Sequence, residues 1–450
     1  MNLVWRKAGF GVVVALCAAT MSSAQDAPES HVMSRQVQSI FEQAGNDGEW
    51  NNGLAAQPLN DADVEPAAWL QQPARQPGFA TSQPTARRAA VASRLASSSL
   101  VSAPNMFGDL AGPTVAFQIL DINTAGGARV SNGIANLPAA GGGSRIGKIA
   151  ENDSPIPRDR VFFTYNHFQN VFQLNETPIF PPGPTLIRQE PLDRYTIGAE
   201  KTFLDQWMSV EIRMPFLGTP DTQLPSIGIN SGNIGNLTAI FKSLLYMDDA
   251  TAVGAGVAVE TPTGSDLFTR IGSTNLRFLN QGTHILPYIG FVWSPGDPQW
   301  GWGDAWFVTG FAQIDINASS NPVNVLGANG VPTTTLGQLT DQNLGFLDLA
   351  VGYWLFRNPY AERLTGVAAV TELHYTTALQ DADRIAGGVN GTAFILNATG
   401  NRFDVLNGTV GVQFLLFDMS SLRVAGVFPI GNEDRRLFDS EVQVQFNRRF

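Results

Sequence analysis

Cysteine is all but missing. The single one, Cys17, lies in an apolar stretch near the N-terminus, so the rest of the chain is held without disulfides and without a thiolate metal site. Long hydrophobic runs are missing too. Beyond Ala8–Ala18 nothing approaches the ~20 continuous apolar residues of a membrane-crossing helix. Positive charge is scarce: 28 Lys and Arg stand against 39 Asp and Glu, a formal net charge of −11. With no basic patch to offset it, nucleic acid is excluded as a partner. His-Glu-x-x-His, a Walker loop and Gly-x-Ser-x-Gly are all absent. The sequence predicts neither cofactor nor metal.

What is present begins with a leader. Arg6 and Lys7 precede the apolar Ala8–Ala18, which is too short to span a bilayer, and Ser22-Ser23-Ala24 ends in small residues. Residues 1–24 read as a signal peptide, so the mature chain starts at Gln25 with net charge −13. Cleavage before Cys17 as a lipoprotein is disfavoured by Leu16, where a small residue is usual. Residues 25–105 are rich in Ala, Gln, Ser, Pro and Asn and carry no periodic apolar face. Such a segment cannot bury enough surface to offset chain entropy and is expected to be mostly disordered. Residues 106–159 hold strand-like runs such as Thr114–Ile122 and a Gly-rich stretch, Ala139–Gly147. Two placements stand for them: a plug inside a barrel, or a periplasmic segment beneath one.

From Arg160 the pattern changes to alternation, residues 160–450. In Met208–Phe216, Met208, Val210 and Ile212 face one way while Ser209, Glu211 and Arg213 face the other. Ile314 and Ile316 likewise oppose Thr309, Gln313 and Asp315. Leu373 opposes Glu372 and His374, and Val412 and Phe414 oppose Gln413. A period of two with one apolar face marks strands between two environments. Twelve strands are expected, from Arg160–Leu174 to Phe438–Phe450. Alternation alone does not separate a membrane barrel from a soluble sandwich, but connection lengths do. Connections after odd-numbered strands are long: Asn175–Ile187, Gly218–Gly232, Thr261–Gly282, Ala318–Asp341 and Gln380–Gly400, with only Gly431–Leu437 short. Those after even-numbered strands are tight (Leu204-Asp205, Asp248-Asp249, Asp418–Ser420) or medium (Pro295–Asp304, Asn358–Arg363). Short turns at one end and long loops at the other, with an even strand count, belong to outer-membrane barrels; a Greek-key sandwich has no reason to keep that parity. Trp207, Trp293, Trp300, Trp302, Trp306, Tyr353, Trp354 and Phe417 fall near strand ends on the short-turn side, where amphipathic rings suit the headgroup level.

The last strand carries Val442, Val444, Phe446 and the terminal Phe450 on one face. It resembles the C-terminal signal of bacterial outer-membrane β-barrels, departing from it at Arg448. The resemblance implies recognition by the barrel-assembly machinery and insertion among outer-membrane lipids in a Gram-negative-type envelope. Around strands four and five, Gly235-Asn236-Leu237, Lys242, Gly254, Gly256 and Thr261-Pro262-Thr263-Gly264 resemble the outer-membrane family of the phenol-degradation meta-pathway, with Asn236 where the family usually has Asp. That resemblance implies a porin-like channel for small, often hydrophobic molecules.

The expected fold is therefore all-β, an antiparallel transmembrane barrel of about twelve strands. The expected function is passive passage of small solutes, with Glu211, Arg213, Lys242, Thr309, Gln313, Asp315, Glu372, His374 and Gln413 lining the lumen. The alternatives are a lipid-hydrolysing barrel enzyme and an autotransporter-like translocator. The first needs a Ser–His pair on the outer wall, but His167, His284 and His374 offer no His-x-Ser. The second needs a passenger, but the front segment lacks β-helix repeats. No catalytic residue is assigned, and the oligomeric state is left open.

Overall fold

The computed structural model describes residues 100, 103–109, 115–124, 127–135, 148–218, 222–223, 227–231, 234–272, 274–295, 305–358, 360–389, 391–397, 402–417, 419–431 and 436–450. The expected leader, nearly all of the low-complexity extension, the Gly-rich stretch Ala139–Gly147, Trp300 and Trp302 lie outside them.

The described chain is built of strands. In order they are β1 (Val115–Thr124), β2 (Gly127–Ala135), β3 (Arg160–Phe180), β4 (Leu186–Phe203), β5 (Met208–Leu217), β6 (Thr222–Gln223), β7 (Ile227–Ser231), β8 (Leu237–Met247), β9 (Thr251–Thr261), β10 (Leu267–Ile271) and β11 (Thr274–Phe278). There follow β12 (His284–Trp293), β13 (Trp306–Asn317), β14 (Asn321–Leu326), β15 (Pro332–Leu339), β16 (Leu344–Arg357), β17 (Leu364–Ala378), β18 (Ile385–Val389), β19 (Thr392–Leu396), β20 (Asp404–Leu416), β21 (Ser420–Pro429) and β22 (Ser440–Arg449).

Twelve of them close a ring in the order β3, β22, β21, β20, β17, β16, β13, β12, β9, β8, β5, β4 and back to β3. Every neighbouring pair is antiparallel. Closure is made by the first and last barrel strands, with Arg449 opposite Arg160 and Glu441 opposite Phe168. Because side chains alternate, each strand presents one face inward and one outward. The burial pattern of β12, strictly alternating from His284 to Trp293, shows this most cleanly.

The long connections differ from the expected open loops. β3 and β4 continue through the expected loop 175–187 as one long hairpin, with Glu176 opposite Leu186. Past Gln169 the barrel partner β22 ends, and β2 takes its place beside β3, pairing Phe172 to Phe180. β1, β19 and β18 extend the sheet from there. The other long connections form a second sheet, β15-β14-β11-β10-β7-β6. Leu276, Val323 and Leu339 of this second sheet pack with Phe117 and Ile119 of β1, Phe394 of β19 and Phe168 and Leu174 of β3 in one buried apolar cluster. Edge strands in loops need partners, and here they find one another.

At the opposite end, which we call the turn end, the connections are tight. Trp293 and Trp306 point outward and are exposed, and Trp306 meets Tyr353 edge-on at 4.9 Å. Trp354 departs from the expected interfacial position: it is only 4% exposed and packs inside against Phe307 at 5.9 Å. The register of β16 slips between Trp354 and Phe356, and the bulge sends Leu355 and Phe356 outward together.

Candidate functional site

The interior is not empty. Residues 103–109 and 148–159 run through it as two passes, joined by Met106 N–H to the Asp153 carbonyl at 2.9 Å and Asn152 N–H to the Phe107 carbonyl at 3.3 Å. Between the passes the chain leaves for the loop end, where β1 and β2 pair. Within residues 106–159, 106–109 and 148–159 meet inward-facing wall residues, while β1 and β2 extend the barrel's own sheet beyond β3.

The wall meets these passes with charge. Arg160 of β3 donates to Glu200 of β4 at 2.8 Å, to Glu211 of β5 at 2.7 Å and to Asp153 of the returning pass at 3.2 Å. Lys242 of β8 donates to Asp153 at 2.6 Å and Glu200 at 3.0 Å. Arg213 reaches Glu211 at 2.5 Å and Asp153 at 3.6 Å. All six side chains are buried. Half a turn of the barrel away, Lys148 sits between Asp109 at 2.6 Å and Asp348 at 3.2 Å. Arg194 pairs with Glu151, and Arg423 donates to the Met106 carbonyl at 3.1 Å. Buried charges persist only when paired and hydrogen-bonded, so these contacts fix the internal passes to the wall.

Contacts to the backbone of the passes add to this. Glu372 accepts the backbone N–H groups of Phe107 at 2.7 Å and Gly108 at 3.0 Å. Gln313 accepts the Ile149 N–H at 2.8 Å. Gln443 and Gln445 of β22 donate to the Gly108 and Phe107 carbonyls, each at 2.9 Å.

The nine residues expected to line a lumen are all buried on the inward face. Glu211, Arg213, Lys242, Gln313 and Glu372 touch the internal passes directly or, for Glu211, through Arg160. His374 packs against Asp348 at 2.8 Å, Glu372 at 3.1 Å and Asp109 at 3.7 Å. Asp315 lies apart, bound to His284 at 2.7 Å nearer the loop end. Among the described residues the Thr309 hydroxyl has no partner, and Gln413 faces a small cavity at the turn end. Val442 and Phe446 point outward and are exposed, and Val444 is half-buried on the same face. Phe450 donates its N–H to the Asp159 carbonyl at 3.4 Å and lies 5.2 Å under the Lys201 ammonium. Arg448 donates to Ser420 at 3.1 Å.

Sequence reasoning missed Arg160, Arg194, Glu200, Asp348, Arg423 and Glu441 on the wall. All fall on the inward parity of their strands, so the alternation that found Glu211 carried the signal for them too. Asp109, Lys148, Glu151 and Asp153 had no such signal, because the internal passes have no period. The motif residues around β8 and β9 also gain a reason. Lys242 holds Asp153. A Cβ on Gly254 would lie 2.2 Å from the Pro155 carbonyl oxygen, so glycine there lets the returning pass touch the wall. Asn236 accepts the Gly264 N–H at 3.0 Å and donates to Glu260 at 3.1 Å, pinning the Pro-Thr-Gly turn.

Two trios, Asp109–Asp348–His374 and Asp153–Glu200–Glu211, are compact enough for an ion. Each already surrounds a side-chain cation, Lys148 in one and Arg160 with Lys242 in the other. Asp348, His374 and Thr409 stand in a row at 2.8 and 3.1 Å, but all three are buried inside the barrel, away from the outer wall where a lipid hydrolase needs its nucleophile.

No family model matches the chain, and no curated protein does. Solved structures of similar shape include an outer-membrane channel from Pseudomonas putida F1, at TM-score 0.40 and 13% identity over 66% of this chain and 97% of that one. The β domain of a Bordetella autotransporter aligns at TM-score 0.37 and 10% identity over 65% of this chain and 100% of that one. The Pseudomonas putida toluene transporter TodX aligns at TM-score 0.31 and 8% identity over 66% of this chain and 90% of that one. Likeness at this level fixes neither a family nor a substrate.

Proposed function

We propose that the protein is an outer-membrane channel for passive passage of small solutes, with residues 103–109 and 148–159 occupying its lumen. One observation carries the reading: the barrel is polar inside and apolar outside. Arg160, Glu211 and Lys242 are buried inward while Ile197, Ile212, Ile289, Ile314, Leu347 and Val410 are exposed outward. A soluble barrel buries its apolar set and exposes its charges. The inverse suits a wall between lipid and a polar lumen, with tight turns on the periplasmic side. On this reading Glu211, Arg213, Lys242, Thr309, Gln313, Asp315, Glu372, His374 and Gln413 line the lumen. Residues 1–24 direct export, and Val442, Val444, Phe446 and Phe450 engage the assembly machinery. The residues shared with the phenol-degradation meta-pathway family support apolar molecules as part of the solute class. A lining mixed in sign supports weak ion selectivity, in contrast to a single-sign ring. No catalytic role is assigned to any residue.

Planar-bilayer recording of the full chain and of a form lacking residues 25–159 tests the proposal. Conductance that appears or rises on truncation supports it. Silence from both forms, with lipid hydrolysis in detergent, overturns it.

A further inference from the structure

At the turn end a small cavity lies between the internal segment and the wall. Its volume is ≈ 10 Å³, the space of one water-sized species. Arg158, Arg160 and Arg449 line it together with Gln413, Ser421 and Asn447, and no carboxylate does. The three guanidiniums are not alike. Arg160 is answered by Glu200, Glu211 and Asp153. Arg158, only 7% exposed, donates to two neutral oxygens, Asn105 Oδ1 at 2.7 Å and the Ala103 carbonyl at 3.3 Å. Its Nε has no hydrogen-bond partner among the described residues. Among the described residues the half-buried Arg449 guanidinium has no hydrogen-bond partner, and neither does the Gln413 amide, which is 2% exposed. Behind them Arg423 donates to carbonyl and amide oxygens of Met106, Asn105 and Gln445 and to no carboxylate.

A buried cation without a counter-charge is strongly disfavoured. Arg158 responds accordingly: burial first, then the nearby Arg449 and Arg160 charges, pull its pKa well below the arginine value, outweighing the opposing pull of the Glu200 and Asp153 carboxylates. The cavity thus combines surplus positive charge with unused N–H donors and has room for one small species. We propose that it binds a single inorganic anion of halide size, held by Arg158, Arg449 and the Gln413 amide. Guanidinium and amide N–H groups are the donors such an anion needs. A larger oxyanion exceeds the space. The anion would join the internal segment, through Arg158, to β20 and β22 of the wall, beside the seam where β22 meets β3. This site does not depend on the channel reading, since it requires only the folded barrel.

The test uses the full chain, purified in detergent. Crystals grown in sodium bromide and measured at the bromine edge should give an anomalous peak within hydrogen-bonding reach of Arg158 Nε. Thermal unfolding, followed by loss of the folded band in heat-modified electrophoresis, should have a midpoint ~2–4 °C higher in sodium bromide than in sodium gluconate at equal ionic strength. Arg449→Gln should abolish that difference. Gln413→Leu, which removes no charge, should reduce it and keeps the test intact if Arg449→Gln fails to assemble. Absence of bromide from the cavity overturns the proposal, as do equal midpoints of the natural protein in the two salts.

Discussion

Asp153→Ala should release the internal segment from the wall. Asp153 is the one carboxylate of that segment in contact with three wall cations: Lys242 at 2.6 Å, Arg160 at 3.2 Å and Arg213 at 3.6 Å. Removing it leaves those cations with Glu200 and Glu211 alone. Breaking a buried ion pair from one side costs ~3–5 kcal/mol, because the surviving charge stays desolvated. Lys242 keeps Glu200 at 3.0 Å and Arg160 keeps both glutamates, which puts the expected loss at the lower end, ~3 kcal/mol. The barrel ladder does not pass through Asp153, so the loss falls on seating of the segment rather than on the wall. At 1.36 kcal/mol per decade, seating shifts roughly 10²-fold toward release. Two assays read it. Protease added to the purified barrel should cleave within 148–159 much faster in the variant, and bilayer recordings should show openings more often than in the natural chain. Asp153→Asn, which keeps the shape and removes the charge, should move both in the same direction. Unchanged cleavage and unchanged openings in both variants would refute the claim that charge pairing seats the segment.

Other expectations follow from the same geometry. Ile212→Arg places a charge on an outward position that is 48% exposed; if that position lies near the bilayer midplane it should cost ~2–4 kcal/mol in urea unfolding from vesicles, and no loss would show that the outer face has been misassigned. Gly254→Ala should shift the returning pass, since the new Cβ would collide with the Pro155 carbonyl, at a cost of ~1–3 kcal/mol typical of overpacking; a midpoint equal to that of the natural protein would count against that contact. Deleting Phe450 removes its bond to Asp159 and its contact with Lys201 and should lower the yield of heat-modifiable barrel in outer membranes. Asp248 in the β8–β9 turn accepts from the Tyr246 hydroxyl at 2.7 Å and the Ala250 and Thr251 N–H groups at 2.9 and 2.7 Å. The Tyr246 bond first, then the backbone bonds, hold its pKa below the ordinary Asp value. A depressed carboxylate stabilises the folded state above its unfolded pKa and loses that contribution as pH falls through the folded one. Stability should therefore decline below about pH 4, and Asp248→Asn should flatten that limb; an acid limb of equal slope in the variant would exclude this turn as its source.

Local alternation was enough to determine which residues pair across the wall's two faces. Ile212 and Glu211 are neighbours in sequence and opposite in environment because a strand turns each residue half a revolution from the last, and nothing distant can alter that. Connection lengths likewise determined the ring of twelve, since antiparallel neighbours need only tight turns at one end. The sequence did not reveal that the loop end is itself β structure, because short strands such as Leu267–Ile271 and Thr274–Phe278 take their partners from other connections. Nor did it reveal what fills the barrel. Asp153 is 89 residues from Lys242, and Phe107 is 265 residues from Glu372. Neither internal pass has a period of its own. Their conformation is dictated by charges and amides that the closed wall aims inward, so only closure of the barrel could assign Asp109, Lys148, Glu151 and Asp153 their partners.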